Sequence, residues 1–225
     1  MVRGRVTMCA PVSDLLVRAF MATTKQRDLS RVRSYMTIAE AQREMRVAYG
    51  AGAVGMFTSA AAWCVAGTIT ALISAERGVW ALFIGGALIH PVAQLLLRVF
   101  GRTARHAPDN PLGKLALEST VWMLLCLPLA YGVSRYRIEW FFPAMLLVIG
   151  GRYLTFATLF GWRAYWLCGG TLAFTSYVLF RYAAPPPIGA FAGAVIETAF
   201  AVYLLVAVRN EEAASLGLAA KSRAR

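Results

Sequence analysis

Six apolar blocks, each long enough to cross the hydrocarbon of a bilayer as a helix, divide the chain between residues 49 and 208. They are Tyr49–Ser74, Gly78–Leu97, Leu115–Ser134, Trp140–Phe160, Ala164–Phe180 and Pro187–Val208, with short polar breaks between them. A hydrocarbon core takes ~20 residues of helix. Lipid offers no partner to a peptide group, whereas a helix satisfies its own, and the alternation a barrel strand needs is absent. The sequence therefore predicts an all-α polytopic membrane protein with six transmembrane helices. The fifth block is the shortest because Arg163 and Arg181 bound it. Its ~17 residues still reach ~25 Å at ~1.5 Å each, and Arg181 is placed to snorkel outward. Composition agrees: 59% of the chain is hydrophobic and 15% charged, where soluble domains run near 45–50% and about 25%.

The 23 basic residues set an orientation, since Lys and Arg stay on the cytoplasmic side of short loops. Most fall in the amino-terminal 48 residues, the Arg98–Lys114 connection, Arg163 and the tail from Arg209. The opposite side holds Arg77, Arg135, Arg137 and Arg181. Both termini are thus expected in the cytoplasm and the chain in the cell membrane. The same argument gives the pI of 10.1 a topogenic meaning. Arginines split among several loops form no groove-sized patch for nucleic acid, and anionic lipid headgroups are the expected partner of the basic loops.

Residues 1–35 are basic and without sustained period, which is the pattern of a disordered arm; Met36 also sits where a chain could begin, so an over-extended start is the other reading. No secretory signal precedes the first span. Residues 36–48 read as an interfacial helix: Thr37 and Glu40 have capping-box spacing, and Ile38, Ala41, Met45 and Val47 favour one side. "GAGAVG" at 50–55 has the glycine spacing of a dinucleotide fingerprint but neither the strand nor the βαβ unit which that motif requires. Gly50, Gly52, Gly55 and Ser59 are expected instead to form a smooth helix face for close packing. Cys9, Cys64, Cys126 and Cys168 lack metal-ligand spacing, and the last three read as buried small hydrophobes. No cofactor or metal site is expected.

Internal repetition is faint. "IGGALI" at 84–89, "IGGRYL" at 149–154 and "IGAFAG" at 188–193 fall in the even spans, while Trp63 and Cys64, Trp122 and Cys126, and Trp166 and Cys168 fall in the odd ones. Three related helical hairpins would give this pattern, and so would chance in low-diversity apolar sequence.

Against this apolar background, His90, Arg152 and Glu197 stand out. If the even spans run inward from the outer face, all three lie ~15–18 Å into a ~30 Å core. A charge at that level costs ~2.5–3.5 kcal/mol on insertion scales, so such groups pair or face water. Arg152 and Glu197 are expected to pair, with His90 beside them and Pro91 freeing the carbonyl of Ala87 from its helical donor. A polar layer of His90, Gln94, Arg152, Tyr153 and Glu197 would suit transport or sensing of a small solute, a proton or an ion. The alternative is a non-catalytic scaffold or regulatory subunit ordered by a structural Arg–Glu pair. An enzyme is disfavoured because no nucleophile, base and orienting group share a register.

"MTIAEAQREMRVAYGAGAVGMFTSAAAWCVAGTI", the proline-bearing second span, "NPLGKL" at 110–115 and "GGRYLTFATLFGWRAYW" at 150–166 together resemble an uncharacterised bacterial family of small six-span membrane proteins, a domain of unknown function. The resemblance covers residues 36–208 and implies the architecture without an activity. Where that family is expected to carry histidine and proline in its fourth span, this chain has Arg152 and Thr155.

Overall fold

The apolar blocks become helices whose ends are set by glycine, proline and charge. The computed structural model describes residues 36–223, with side chains described to residue 214; the amino-terminal arm and Cys9 lie outside the described residues. The helices are α1 (Ile38–Tyr49), α2 (Ala53–Leu72), α3 (Ala75–Val99), α4 (Leu112–Tyr136), α5 (Phe141–Phe160), α6 (Ala164–Arg181) and α7 (Pro186–Arg223), and no strand occurs among the described residues. Among the described residues, five stretches are long and apolar enough to cross a membrane, which is the mark of a membrane protein: Ile38–Leu72, which joins α1 to α2, then α3, α4, Ile138–Phe160 and Pro186–Ala214. The sixth helix, α6, is 18 residues long.

Each expected block lies within one helix to a few residues, with two instructive departures. The chain does not run as helix through "GAGAVG". Gly50, Ala51 and Gly52 take φ of 57°, 48° and 80°, three successive left-handed residues that kink α1 away from α2. Gly52 is required there, because a Cβ would come within 2.6 Å of the Tyr165 hydroxyl. Gly55 faces open space, so the expected smooth packing face is not formed. At the other end, α7 continues past Val208 to Arg223 without a break, since Arg209, Glu211, Glu212, Ala213 and Ala214 are good helix formers.

Helix packing is uneven. α2 lies between α3 and α7, α5 lies between α4 and α6, and the smaller α6–α7 contact closes the arrangement. Close approach comes from small residues: a Cβ on Gly150 would meet the Gly169 carbonyl at 2.9 Å, and one on Gly193 would meet Trp63 at 2.8 Å. α3 touches the α4–α5 side through a ring cluster in which Phe83 lies 6.3 Å from Tyr131 and 5.3 Å from Phe141. Of the cysteines, Cys168 is buried, Cys126 half-buried and Cys64 exposed. The outward turn of Cys64 follows from its neighbour, because Trp63 fills the buried position and the next residue points about 100° away.

α1 ties one end of the bundle together. Gln42 Nε2 donates to the Thr158 carbonyl at 2.8 Å and Arg46 Nη1 to the Phe160 carbonyl at 2.7 Å, both at the end of α5. Arg46 and Arg102 also form ion pairs with Glu211 (3.2 Å) and Glu212 (2.7 Å) on α7. The Glu44 carboxylate accepts from the Ala107 backbone and from Asn110 Nδ2, which fixes the loop before α4. Tyr49 and His106 hydroxyl and ring nitrogen meet at 2.8 Å.

Candidate functional site

Helix α7 buries Ala190, Ala194, Glu197, Ala201, Leu204 and Val208. The intervals alternate between four and three residues, the spacing of a helix seam that faces a neighbour. Five positions of that seam are apolar, and the remaining one carries a carboxyl: Glu197 has 0% of its surface exposed. The neighbours of Glu197 come from three helices. Tyr153 on α5 donates its hydroxyl to Oε1 at 3.1 Å. Ser59 and Trp63, one turn apart on α2, flank the carboxyl, and Cys168 on α6 faces it. Oε2 has no hydrogen-bond partner, and neither does the buried Trp63 Nε1.

Tyr153 belongs to an aromatic cluster leading to the α1 end. Its ring lies 5.6 Å from Phe156 and 6.1 Å from Tyr165, and Tyr165 stacks on Phe160 at 5.5 Å. The Tyr165 hydroxyl donates to the Ala51 carbonyl in the left-handed kink. One hydroxyl of the cluster thus holds the buried carboxyl and another holds the turn that joins α1 to α2.

Arg152, next in sequence to Tyr153, points elsewhere. Nη1 donates to Met123 Sδ and Nη2 to Thr120 Oγ1, both at 3.1 Å on α4, and the guanidinium lies 5.2 Å from the Phe156 ring centre. Nε is buried without a partner. The expected Arg152–Glu197 ion pair is not formed among the described residues. The reason is angular, since consecutive helical residues diverge by about 100°; Tyr153 takes the face toward α7 and Arg152 the face toward α4.

His90 is exposed and Gln94 half-buried, one turn apart on α3. Among the described residues, no hydrogen bond, ion pair or ring contact links either to α5 or α7. Of the five residues expected in one layer, the structure brings Tyr153 and Glu197 into contact and leaves Arg152, His90 and Gln94 on other surfaces. Sequence reading missed Ser59 and Trp63 as neighbours of Glu197, although their four-residue spacing puts them on one face of α2. It also missed Thr120 and Met123 as partners of Arg152. No group of three or more His, Cys, Asp or Glu side chains that could hold a metal occurs among the described residues.

Residues 38–207 match the family described as a Family of unknown function (DUF7010). The match spans most of the chain, and the chain belongs to that family. No curated protein and no solved structure matches it.

Proposed function

We propose that this member of an uncharacterised family crosses the cytoplasmic membrane six times and takes up a proton or small cation at Glu197, and by that equilibrium moves or senses a small solute. The sixth crossing is α6, whose 18 residues reach ~27 Å at ~1.5 Å each. The basic residues support an orientation with the α1 end, and so both termini, in the cytoplasm. Arg43, Arg98, Arg105 and Lys114 at that end are then available to anionic lipid headgroups.

The observation that carries this reading is the full burial of Glu197 without an ion-pair partner. The carboxyl is wholly buried, accepts from the Tyr153 hydroxyl with Ser59 and Trp63 beside it, and has no cation within ion-pair distance. An ionised carboxylate alone in such a place is several kcal/mol out of favour. A proton or a cation that joins it removes that cost, and reversible occupancy of that kind is what a transport or sensing site needs. The competing scaffold reading draws on a direct Arg152–Glu197 contact, and no ion pair joins the two side chains.

Infrared difference spectra of the reconstituted protein test this without knowledge of the solute. A carboxyl band that responds to pH, or to exchange of sodium for choline, and disappears in Glu197→Gln is the expected result. A carboxyl signal indifferent to both would overturn the reading. Proton release into dye-loaded proteoliposomes, present in the wild type and lost in Glu197→Gln, would extend it to flux.

A further inference from the structure

The space and the atoms around Glu197 restrict what can occupy it. Glu197, Trp63, Cys168 and Ala201 are all 0% exposed. Gly193, one turn before Glu197, is pressed against Trp63 and Leu146, where a Cβ would come within 2.8 and 3.0 Å. An organic solute does not fit beside the carboxyl, and any occupant has to be very small. An alkali ion gives up its hydration shell only to a cage of several oxygens, and in membrane helices these commonly come from unwound backbone. Here α2, α5, α6 and α7 run unbroken past Ser59, Trp63, Tyr153, Cys168 and Glu197, so the carbonyls at those levels bond within their own helices. The side chains add the hydroxyls of Ser59 and Tyr153, and the Tyr153 proton already points at Oε1. Trp63 presents an indole N–H, a donor with no lone pair to offer, and Cys168 presents a thiol. Arg152 on α5 lies beyond ion-pair distance, yet its charge reaches the carboxyl; it is itself a cation and offers no ligand atom. Donors surround the carboxyl where a metal ion would need acceptors.

We propose that Glu197 binds a proton and excludes alkali metal ions, and that the proton resides on Oε2. This rests on the reading of Glu197 as a reversible site and narrows it to one occupant. Uptake joins a proton to the carboxylate and gives a neutral carboxylic acid, with no other bond made or broken. Tyr153 keeps donating to Oε1, which becomes the carbonyl oxygen. Oε2, which has no hydrogen-bond partner, takes the proton and turns it toward the Ser59 hydroxyl, a group able to accept as well as donate. On release the Ser59 hydroxyl rotates to donate, and Trp63 Nε1, a buried donor without an acceptor, faces a full negative charge. One set of side chains thus serves both forms, as a reversible proton site requires.

Infrared difference spectra of the full chain in proteoliposomes test each part. A carboxylic-acid C=O band that is lost in Glu197→Gln should grow as the pH falls and move to lower frequency in D₂O, as an O–H acid requires. At the pH where half of it is present, replacement of choline by lithium, sodium or potassium should leave it unchanged. In the wild type the band should lie below that of an unbonded acid, and Tyr153→Phe, which removes one hydroxyl and keeps the ring, should raise its frequency, because the carbonyl oxygen loses its donor. Loss of the wild-type band on addition of an alkali ion would overturn the exclusion while leaving Glu197 a reversible ion site. Indifference to pH and to alkali ions alike would overturn that site and this inference together. A wild-type band at the frequency of an unbonded acid, or one that Tyr153→Phe does not move, would overturn the assignment of the proton to Oε2.

Discussion

α2 and α5 each have 44% of their most apolar stretch buried inside the protein, whereas α3 has 17% and α4 only 11%. The two peripheral helices are nevertheless at least as apolar as the two central ones. In water that would be contradictory. In lipid it is expected, because acyl chains are as apolar as leucine and greasiness no longer sorts helices into core and surface; close packing and polar contacts do. The central helices accordingly pack on α6 and α7 through Gly150, Gly169, Gly193 and Ala190, and through Tyr153 and Glu197. The peripheral ones turn Ile84, Leu88, Leu95, Leu117, Leu125 and Leu129 outward.

The sharpest way to break this contrast is to truncate one tryptophan on each side of it. Trp63 is 0% exposed and packs on Phe142 and Gly193; Trp63→Ala should cost about 3–5 kcal/mol through the cavity it leaves. Trp122→Ala, on the outer face of α4, should stay within about 0.5 kcal/mol. Thermal midpoints of the two variants in the same mild detergent make the comparison. Similar losses would mean that α4 is covered as fully as α2.

The next test contrasts adjacent glycines on α6. A Cβ at Gly169 would lie 2.6 Å from the Gly150 carbonyl and 2.8 Å from Leu154, whereas one at Gly170 has open space. Gly169→Ala should therefore destabilise by about 1–3 kcal/mol as α5 and α6 are forced apart. Gly170→Ala should be neutral or stabilise by up to about 1 kcal/mol, because alanine favours the helix. Chemical denaturation of the detergent-solubilised variants measures both, and a loss at Gly170 would show that the outer face of α6 is packed against something.

The lengths of the helices were legible in the sequence because length and apolarity are local properties. Arg152 lies opposite Thr120 and Met123, well inside both helices. Direction around the axis was not legible. Counting residues puts Arg152, His90 and Glu197 in one expected slice, but no hydrogen bond or ion pair among the described residues joins any two of them. The seam of Ala190, Ala194, Glu197, Ala201, Leu204 and Val208 was readable, for its four-and-three spacing points Glu197 inward without any knowledge of its neighbours. The kink was half readable. Glycines at 50 and 52 permit left-handed backbone, but nothing about Ala51 announces its φ of 48°; the Tyr165 hydroxyl, distant in sequence, holds it there.

Capping separates the regions by a smaller amount. Ser74 accepts from the Arg77 backbone at 3.2 Å at the start of α3, and Asn110 Oδ1 accepts from the Leu112 backbone at 3.0 Å at the start of α4, while α2, α5 and α6 begin without a side-chain cap. A helix with little packing to hold it leans more on its own end, so Ser74→Ala should cost about 1 kcal/mol. Faster hydrogen exchange at the first turn of α3, with the α5 amides unchanged, would localise that loss; exchange that rises equally in α5 would mean that α3 and α5 open as one unit.

The smallest expected effect has the opposite sign. Ala51 is left-handed, a conformation that costs an L-residue roughly 1–2 kcal/mol, whereas glycine adopts it freely but gives up about 0.4–1 kcal/mol through the entropy of the unfolded chain. The difference favours Ala51→Gly by about 0.5 kcal/mol. The Tyr165 hydroxyl accepts no change from the substitution, since it bonds the Ala51 carbonyl and not its side chain. A slightly raised thermal midpoint is therefore expected if the turn serves only to join α1 to the central helices. A lowered midpoint would show that the Ala51 methyl, which is fully buried, contributes more by packing than its backbone loses by strain, and the kink would then count as part of the core that α2 and α5 share.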